Sequence, residues 1–148
     1  LNYVINDNII LFDGDLEIGI ENINLVIKEF EKLEHDVITG IRWIKNNDKI
    51  SIHKIGNVII NAIFNFIYKT KYNDVLCCLR IMKTNLFKSL NIKSNGFSIE
   101  VETLAKITKK ELSVKELPIR YTRRTVKQGK KIRMIDSIKI IKTILING

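Results

Sequence analysis

Carboxylates that follow an apolar run are the residues of this sequence best suited to chemistry. Asp13 and Asp15 stand directly after the run at residues 8–12, with Gly14 between them and Glu17 close behind. Two carboxylates at this spacing can converge on one cation, and Gly14 lets the backbone come close to a ligand. A hard divalent cation held by one or two carboxylates completes its shell with substrate phosphates. The turn therefore predicts a metal and phosphate site, although a polar turn with unrelated acids has the same pattern.

Cationic side chains that could bind phosphate follow later in the chain. Arg42 leaves the second apolar run through a glycine, and its guanidinium is permanently charged and bidentate. Asp74 precedes another apolar run, where it could bind a sugar hydroxyl or cap a backbone turn. The stretch at residues 118–132 is basic and contains a glycine, so it could fold over phosphates. Its cations include Arg124, Lys130 and Lys131.

The apolar periodicity predicts the elements that must position these groups. Apolar runs predict strands at residues 8–12, 36–39, 75–82 and 112–121, and Pro118 favours an edge position for the last one. Helical spacing predicts helices at residues 20–33, 51–68, 84–90, 98–109 and 132–146. Alternating strands and helices indicate an α/β fold with a mostly parallel sheet. Ligands of such sheets bind beyond the carboxyl ends of the strands, where the turn after residue 12 lies.

Composition narrows the class of partner and excludes several kinds of protein. The 148 residues include 25 Lys and Arg against 16 Asp and Glu, a formal charge of +9. Residues 103–148 hold 13 basic and 3 acidic side chains, so the excess lies in the last third. This favours an anionic partner: nucleic acid, a membrane surface or a phosphorylated substrate. The two adjacent cysteines exclude a disulfide framework and a cysteine-rich zinc site, and no apolar run is long enough to span a membrane.

Taken together, the motifs resemble family 2 glycosyltransferases, most closely the dolichyl-phosphate mannose and glucose synthase group. The matching segments occur in the family's order and span almost the whole chain. They are residues 10–17, residues 37–42, Asp74 ahead of Arg80, residues 96–102, residues 116–124 and residues 129–132. One branch of the group carries a Tyr-x-x-Arg, Gly-Lys-Lys-Ile and Asp signature, matched here by Tyr121, Arg124, residues 129–132 and Asp136. The chain departs from the family at Ile41, where Ser is usual, and at residues 78–80, where a Gly-aromatic-Arg is usual.

The resemblance implies a GT-A sheet with flanking helices, of which this chain would be the C-terminal part only. It implies inverting transfer of mannose or glucose from a nucleotide diphosphate sugar to a polyprenyl phosphate. By position, Asp13, Asp15 and Glu17 would serve a Mg²⁺ or Mn²⁺ ion. Phosphates would be contacted by Arg42, Arg124, Lys130 and Lys131. Asp74 would lie near the sugar, so that Asp15, Arg42 and Asp74 form the catalytic set.

The resemblance also implies an arrangement and a location. Residues 1–131 would form the glycosyltransferase part and residues 132–148 a basic amphipathic tail helix. Lys139 and Lys142 of this helix could meet anionic lipid, or the helix could instead pack on the sheet. The protein would be peripheral on the cytoplasmic face of a membrane, with no nucleic-acid partner. Family members begin with a nucleotide-binding strand that this sequence lacks, so we expect an N-terminally truncated chain that is inactive alone.

Two other functions fit part of the sequence. A basic nucleic-acid-binding module could be built on the last third, although it leaves Asp13 and Asp15 without a role. Haloacid-dehalogenase phosphatases also place Asp-x-Asp after a strand. They expect a threonine four residues after the first Asp, where this chain has Glu17, and a downstream acidic pair that is not found here.

Overall fold

The computed structural model of the protein describes residues 6–15, 17–42, 52–122 and 134–148. These ranges contain four strands and five helices, and all nine were predicted from the apolar periodicity. In chain order they are β1 (Asn8–Leu11), α1 (Glu21–Phe30), β2 (Val37–Ile41), α2 (Ile52–Tyr68), β3 (Arg80–Lys83), α3 (Thr84–Ser89), α4 (Ser98–Lys109), β4 (Val114–Pro118) and α5 (Met134–Asn147). The largest difference is at residues 75–82, of which only the end forms a strand.

The strands form one sheet in the order β1-β3-β2-β4. β2 and β4 pair in parallel, whereas β3 runs antiparallel to both β1 and β2. The predicted α/β sheet with flanking helices is thus confirmed, and β4 is an outer strand of the sheet, as predicted. The predicted mostly parallel arrangement is wrong, because β3 is antiparallel to both of its neighbours. An apolar run indicates a buried strand without indicating its direction, which is set by the connection that precedes it.

The direction of β3 brings four chain segments to one edge of the sheet. β1, β2 and β4 all end at this edge, and β3 begins there, because Arg80 is paired with both Leu11 and Thr39. Residues 75–79 cross this edge as a buried loop, with Val75, Cys77 and Leu79 in the core. We call this side of the sheet the functional edge.

Helix α5 belongs to the core of the protein. Ile140 and Ile144 are buried, and they pack with Phe64 of α2 and Leu104 of α4 in one apolar cluster. The hydroxyl group of Tyr68 at the end of α2 also donates a hydrogen bond to the carbonyl oxygen of Ile144, at 3.0 Å. One face of the basic tail helix is therefore covered by the other helices, while its lysines remain on the exposed face.

The ends of α1 to α4 share an uncommon backbone feature. Within three residues of each of these helix ends, a residue other than glycine has a positive φ: Leu33, Lys69, Asn91 and Glu111, between 48° and 57°. Glycine is usual at such left-handed positions because a Cβ atom crowds the backbone there. The chain has only seven glycines, and it ends these helices without them.

Candidate functional site

The acidic turn lies at the functional edge, directly after β1. Asp13 is exposed and Asp15 is half-buried, and the Oδ1 atom of Asp15 accepts a hydrogen bond from the backbone N–H of Glu17 at 3.0 Å. This bond is an Asx turn, which fixes the path of the chain after the second carboxylate. The turn thus has the position predicted from the sequence.

The Glu17 side chain turns toward the extension of β4. Its Oε2 atom accepts a hydrogen bond from the hydroxyl group of Tyr121 at 2.7 Å. Its carbonyl oxygen accepts a second one from the N–H of Thr122, and Ile18 forms a β-bridge with Tyr121. These contacts fasten the acidic turn to the chain that follows β4, so Tyr121 is a site residue that sequence reasoning gave no role of its own.

The residues fit a divalent cation only if a ligand completes the shell. Within the described ranges, no group of three His, Cys, Asp or Glu side chains converges to hold a metal ion. Asp13 and Asp15 could supply one or two carboxylate oxygens, which is the number that Mg²⁺ sites commonly take from protein before phosphates and water fill the rest. The two aspartates therefore suit a cation that binds together with a diphosphate. The Glu17 carboxylate accepts a hydrogen bond from Tyr121.

Arg42 and Asp74 form a nearly buried ion pair at the end of β2. The Nε and Nη2 atoms of Arg42 donate to the two carboxylate oxygens of Asp74, each at 2.8 Å, and the backbone N–H of Arg42 donates to Oδ2 at 3.0 Å. The side chains are 13% and 2% exposed. Burial opposes the charge of Arg42, but the hydrogen bonds that Arg42 donates to Asp74, together with the negative charge of Asp74, outweigh it and hold the Arg42 pKa above its ordinary value. The guanidinium carbon also lies 5.5 Å from the ring centroid of Tyr121.

The loop that carries Asp74 is held from two sides. Glu116 of β4 accepts hydrogen bonds from the backbone and side-chain nitrogens of Asn73, at 2.7–3.1 Å, and from the Asp74 N–H at 3.3 Å. On the other side, Asn61 and Asn65 of α2 bind the backbone of residues 72 and 75. Asp74 is therefore placed by the fold before any ligand binds.

A pocket of about 290 Å³ opens beside the acidic turn. Asp13 and Cys78 line it together with two charged residues, Arg80 at the start of β3 and Glu100 in the first turn of α4. The sequence signal for Arg80 was a cation inside an apolar run. The signal for Glu100 was an acid in a segment that matched the family. Neither sequence pattern predicts the direction in which the side chain points.

Glu102, two residues after Glu100, has a different position. Its buried carboxylate accepts hydrogen bonds from the backbone N–H groups of Lys93 and Ser94, and Lys106 is its ion-pair partner. Burial opposes ionisation of Glu102, but these donors outweigh it and lower its pKa to about 2. Glu102 thus holds the chain that enters α4, and it does not line the pocket.

The structure brings Asp13, Asp15, Glu17, Arg42 and Asp74 to one edge of the sheet. Arg124, Lys130 and Lys131 lie outside the described residues, so their expected contacts with phosphate remain predictions.

Comparison with known proteins finds a similar fold, and a similar sequence over part of the chain. No protein-family model matches the chain. The chain is 30% identical to glycosyltransferase AglJ from Haloferax volcanii over 70 residues, which are 47% of this chain and 23% of that protein. Its structure is similar to that of glucosyl-3-phosphoglycerate synthase from Mycobacterium tuberculosis, solved in complex with uridine diphosphate. That match has a TM-score of 0.70 at 12% identity and covers 97% of this chain and 50% of that chain.

The alignments thus span half of the solved relative and about a quarter of the curated one. At 12% identity, the structural match shows a similarity of fold and nothing more. The described part of the chain has the fold of a GT-A glycosyltransferase, with its acidic turn, Arg42–Asp74 pair and pocket at one edge of the sheet.

Proposed function

We propose that this chain is part of a family 2 glycosyltransferase that transfers mannose or glucose from a nucleotide diphosphate sugar to a polyprenyl phosphate, with inversion. The observation that carries the proposal is that Asp13 and Asp15 lie at the same edge of a GT-A sheet as the Arg42–Asp74 pair. The uridine diphosphate bound by the structural relative supports a nucleotide sugar as donor.

The chemistry needs no strong general base. An oxygen of the acceptor phosphate is already anionic near neutral pH, so it can attack the anomeric carbon of the donor sugar directly. The bond from that carbon to the diphosphate breaks as the new bond forms, and the nucleoside diphosphate leaves with the electron pair. Attack from the side opposite the leaving group inverts the anomeric centre. A Mg²⁺ or Mn²⁺ ion bound with the donor would act as a Lewis acid on the diphosphate.

We assign the protein's part in this reaction to the residues of the functional edge. Asp13 and Asp15 would hold the cation and thereby orient the donor diphosphate. Arg42 would stabilise phosphate charge, with Asp74 as the positioning residue that fixes its guanidinium. Arg124, Lys130 and Lys131 would close over the phosphates, as the family resemblance implies.

We further propose that the protein binds the cytoplasmic surface of a membrane through exposed parts of α2 and α5. No helix in the described part of the chain is long and apolar enough to cross a membrane. The exposed face of α5 mixes cations with apolar side chains: Ile138, Lys139, Lys142, Leu145 and Ile146. Helix α2 contains no acidic residue and exposes Ile55, Val58, Ile59 and Phe66. Cations beside exposed apolar groups suit a surface of anionic lipid.

Donor binding can be tested on this chain by calorimetry with UDP and GDP, with and without Mn²⁺. We expect binding that requires Mn²⁺ and that weakens at least tenfold when Asp13 and Asp15 are both replaced by asparagine. Asp7→Asn, before the other end of β1, is the matched control and should bind as the parent chain does. Nucleotide binding that is equally strong without Mn²⁺, or equally strong in the double variant, would contradict the metal site. Salt-dependent DNA binding of equal strength in the double variant, without nucleotide binding, would favour the nucleic-acid module.

The acceptor and the membrane need separate assays. Because we expect this chain to be inactive alone, the reaction is assayed with a family-type nucleotide-binding segment placed before it. Transfer of labelled glucose from UDP-glucose, or mannose from GDP-mannose, to a polyprenyl phosphate tests the reaction, and transfer to water alone would contradict the acceptor. Flotation with vesicles containing phosphatidylglycerol tests the surface. We expect Lys139→Glu with Lys142→Glu to lose flotation and Lys28→Glu with Lys93→Glu to keep it. Equal flotation of both pairs would contradict the role of α5.

A further inference from the structure

Tyr121 contacts both charged parts of the functional edge. Its hydroxyl group donates a hydrogen bond to Oε2 of Glu17 at 2.7 Å, and its ring centroid lies 5.5 Å from the guanidinium carbon of Arg42. The first contact is a charge-assisted hydrogen bond, and the second is within the range of a cation–π interaction. One half-buried side chain therefore bonds to the acidic turn and also adjoins Arg42.

The backbone around Tyr121 is fixed independently of its side chain. Main-chain hydrogen bonds join residue 119 to the end of β2 at 3.0 Å and residue 122 to the end of the acidic turn at 2.8 Å. Between them, the N–H and carbonyl groups of Arg120 both bind the side-chain amide of Asn22, which is 3% exposed, at 3.0 Å each. Substitution of the Tyr121 side chain leaves these bonds in place, so its variants should keep the fold.

The hydrogen bond from Tyr121 reaches the carboxylates that suit a cation. The backbone N–H of Glu17 donates to Oδ1 of Asp15 at 3.0 Å, so Asp15 is joined through Glu17 to Tyr121. Arg42, which adjoins the Tyr121 ring, is held by two side-chain hydrogen bonds to Asp74. The acidic turn and the Arg42–Asp74 pair are thus linked through one side chain.

A diphosphate that carries its cation must reach both linked parts at once. If the acidic turn were free to move relative to Arg42, ordering it would oppose binding, whereas a turn that is already tied in place avoids this loss of affinity. A diphosphate without a cation meets like charges at the turn, so it would contact Arg42 and gain little from the tie. The hydroxyl group of Tyr121 should therefore matter most when cation and diphosphate bind together.

We propose that Tyr121 is a positioning residue that couples the acidic turn to Arg42, so that a diphosphate and its divalent cation bind cooperatively. The inference rests on the proposed function, which assigns the cation to the turn and phosphate to Arg42. It gives the two contacts of the side chain different effects. The hydroxyl group sets the cooperativity, and the ring supports Arg42 whether or not a cation is bound.

The test measures how strongly Mn²⁺ raises the affinity of the full chain for UDP. Calorimetry gives the dissociation constant of UDP without Mn²⁺ and at saturating Mn²⁺, corrected for the Mn²⁺–UDP complex in solution, and the ratio is the coupling factor. By linkage, UDP must raise the affinity for Mn²⁺ by the same factor, which EPR spectroscopy of free Mn²⁺ measures independently. We expect Tyr121→Phe to lower the coupling factor at least about fivefold, through loss of a charged hydrogen bond. The affinity for UDP without Mn²⁺ should change less than about twofold.

Two further variants separate positioning from stability. Tyr68→Phe is the matched control, because it also removes one tyrosine hydrogen bond, to the carbonyl oxygen of Ile144, and it should keep the coupling factor of the parent chain. Tyr121→Leu removes the ring as well, so it should also weaken binding of UDP without Mn²⁺ about threefold, and Tyr121→Phe, which restores the ring, should recover that affinity. A side chain needed only for folding would change stability and leave the coupling factor as it is.

The outcomes distinguish this inference from the proposed function. If Mn²⁺ strengthens UDP binding equally in the parent chain and in Tyr121→Phe, the coupling role of Tyr121 is wrong and the glycosyltransferase proposal stands. If Mn²⁺ does not strengthen binding in the parent chain, the metal site and the coupling are both wrong. If neither UDP nor GDP binds, the proposed function fails, and inorganic diphosphate is then the probe. A coupling factor for diphosphate that falls in Tyr121→Phe would support the role of Tyr121, and an unchanged factor or a lack of binding would overturn it.

Discussion

Replacing Asp74 by asparagine tests whether the Arg42–Asp74 pair holds the functional edge together. The substitution keeps the size of the side chain but leaves Arg42, which is 13% exposed, without its counter-charge. The 2.8 Å separation of Nε and Oδ2 corresponds to an attraction of about 6 kcal/mol at an effective dielectric constant of about 20. Much of this attraction offsets the desolvation of both charges. Since loss of one partner leaves the other uncompensated, we expect the free energy of unfolding to fall by about 3–5 kcal/mol.

Urea unfolding followed by circular dichroism measures this loss and apportions it. Arg42→Met removes the cation, and the double variant removes both charges. We expect the double variant to lose less than the sum of the single losses, by about 0.5–3 kcal/mol, because the pair is in direct contact. Asp7→Asn, at an exposed position, is the control and should change stability by less than about 0.5 kcal/mol. A loss below about 1 kcal/mol for Asp74→Asn, or strictly additive losses, would refute the reasoning.

Three further predictions concern single groups. The lowered pKa of Glu102, about 2 against an ordinary 4.5, contributes stability that is fully present above pH 4.5. The free energy of unfolding should therefore fall by about 3 kcal/mol as the pH falls toward 2. The Glu102→Gln variant should lack this pH dependence, and parallel curves of stability against pH for the two proteins would contradict the prediction. Burial raises the pKa of Cys77 to about 12 and also raises that of Cys78, so mass spectrometry should find iodoacetamide labelling at pH 8 slow in folded protein and rapid in urea. Tyr121→Phe removes the hydrogen bond to Glu17 and should lower the free energy of unfolding by about 1–3 kcal/mol in urea titrations; an unchanged midpoint would argue against the bond.

The positions of several site residues follow from sequence pattern alone. An apolar run that ends in polar residues marks the end of a buried strand, and strands that run in the same direction end at the same edge of a sheet. β1 and β2 run in the same direction, so Asp13, Asp15 and Arg42, which follow these strands, lie at one edge. It could not show that Arg42 pairs with Asp74, because the two are 32 positions apart and meet only through the loop held by Glu116.

Other features depend on packing that sequence periodicity does not record. Residues 75–79 are as apolar as a strand because they form a buried loop, so the strand predicted at residues 75–82 begins before β3 does. Glu100 and Glu102 differ by two positions in one helix, and therefore point to nearly opposite faces. Only the rotation of α4 against the sheet decides that Glu100 lines the pocket while Glu102 binds the preceding backbone.

The left-handed residues after the helices are positions where a substitution can raise the stability of the fold. Leu33 and Glu111 are exposed and precede β2 and β4, so they lie near the edge of the sheet opposite the functional edge. Each keeps a side chain in a backbone conformation that costs about 1 kcal/mol, which glycine would relieve in part. Glycine at both positions would thus raise the free energy of unfolding and provide a more stable scaffold. In that scaffold, variants that weaken the fold, Asp74→Asn and Tyr121→Leu among them, stay folded long enough for their binding to be measured.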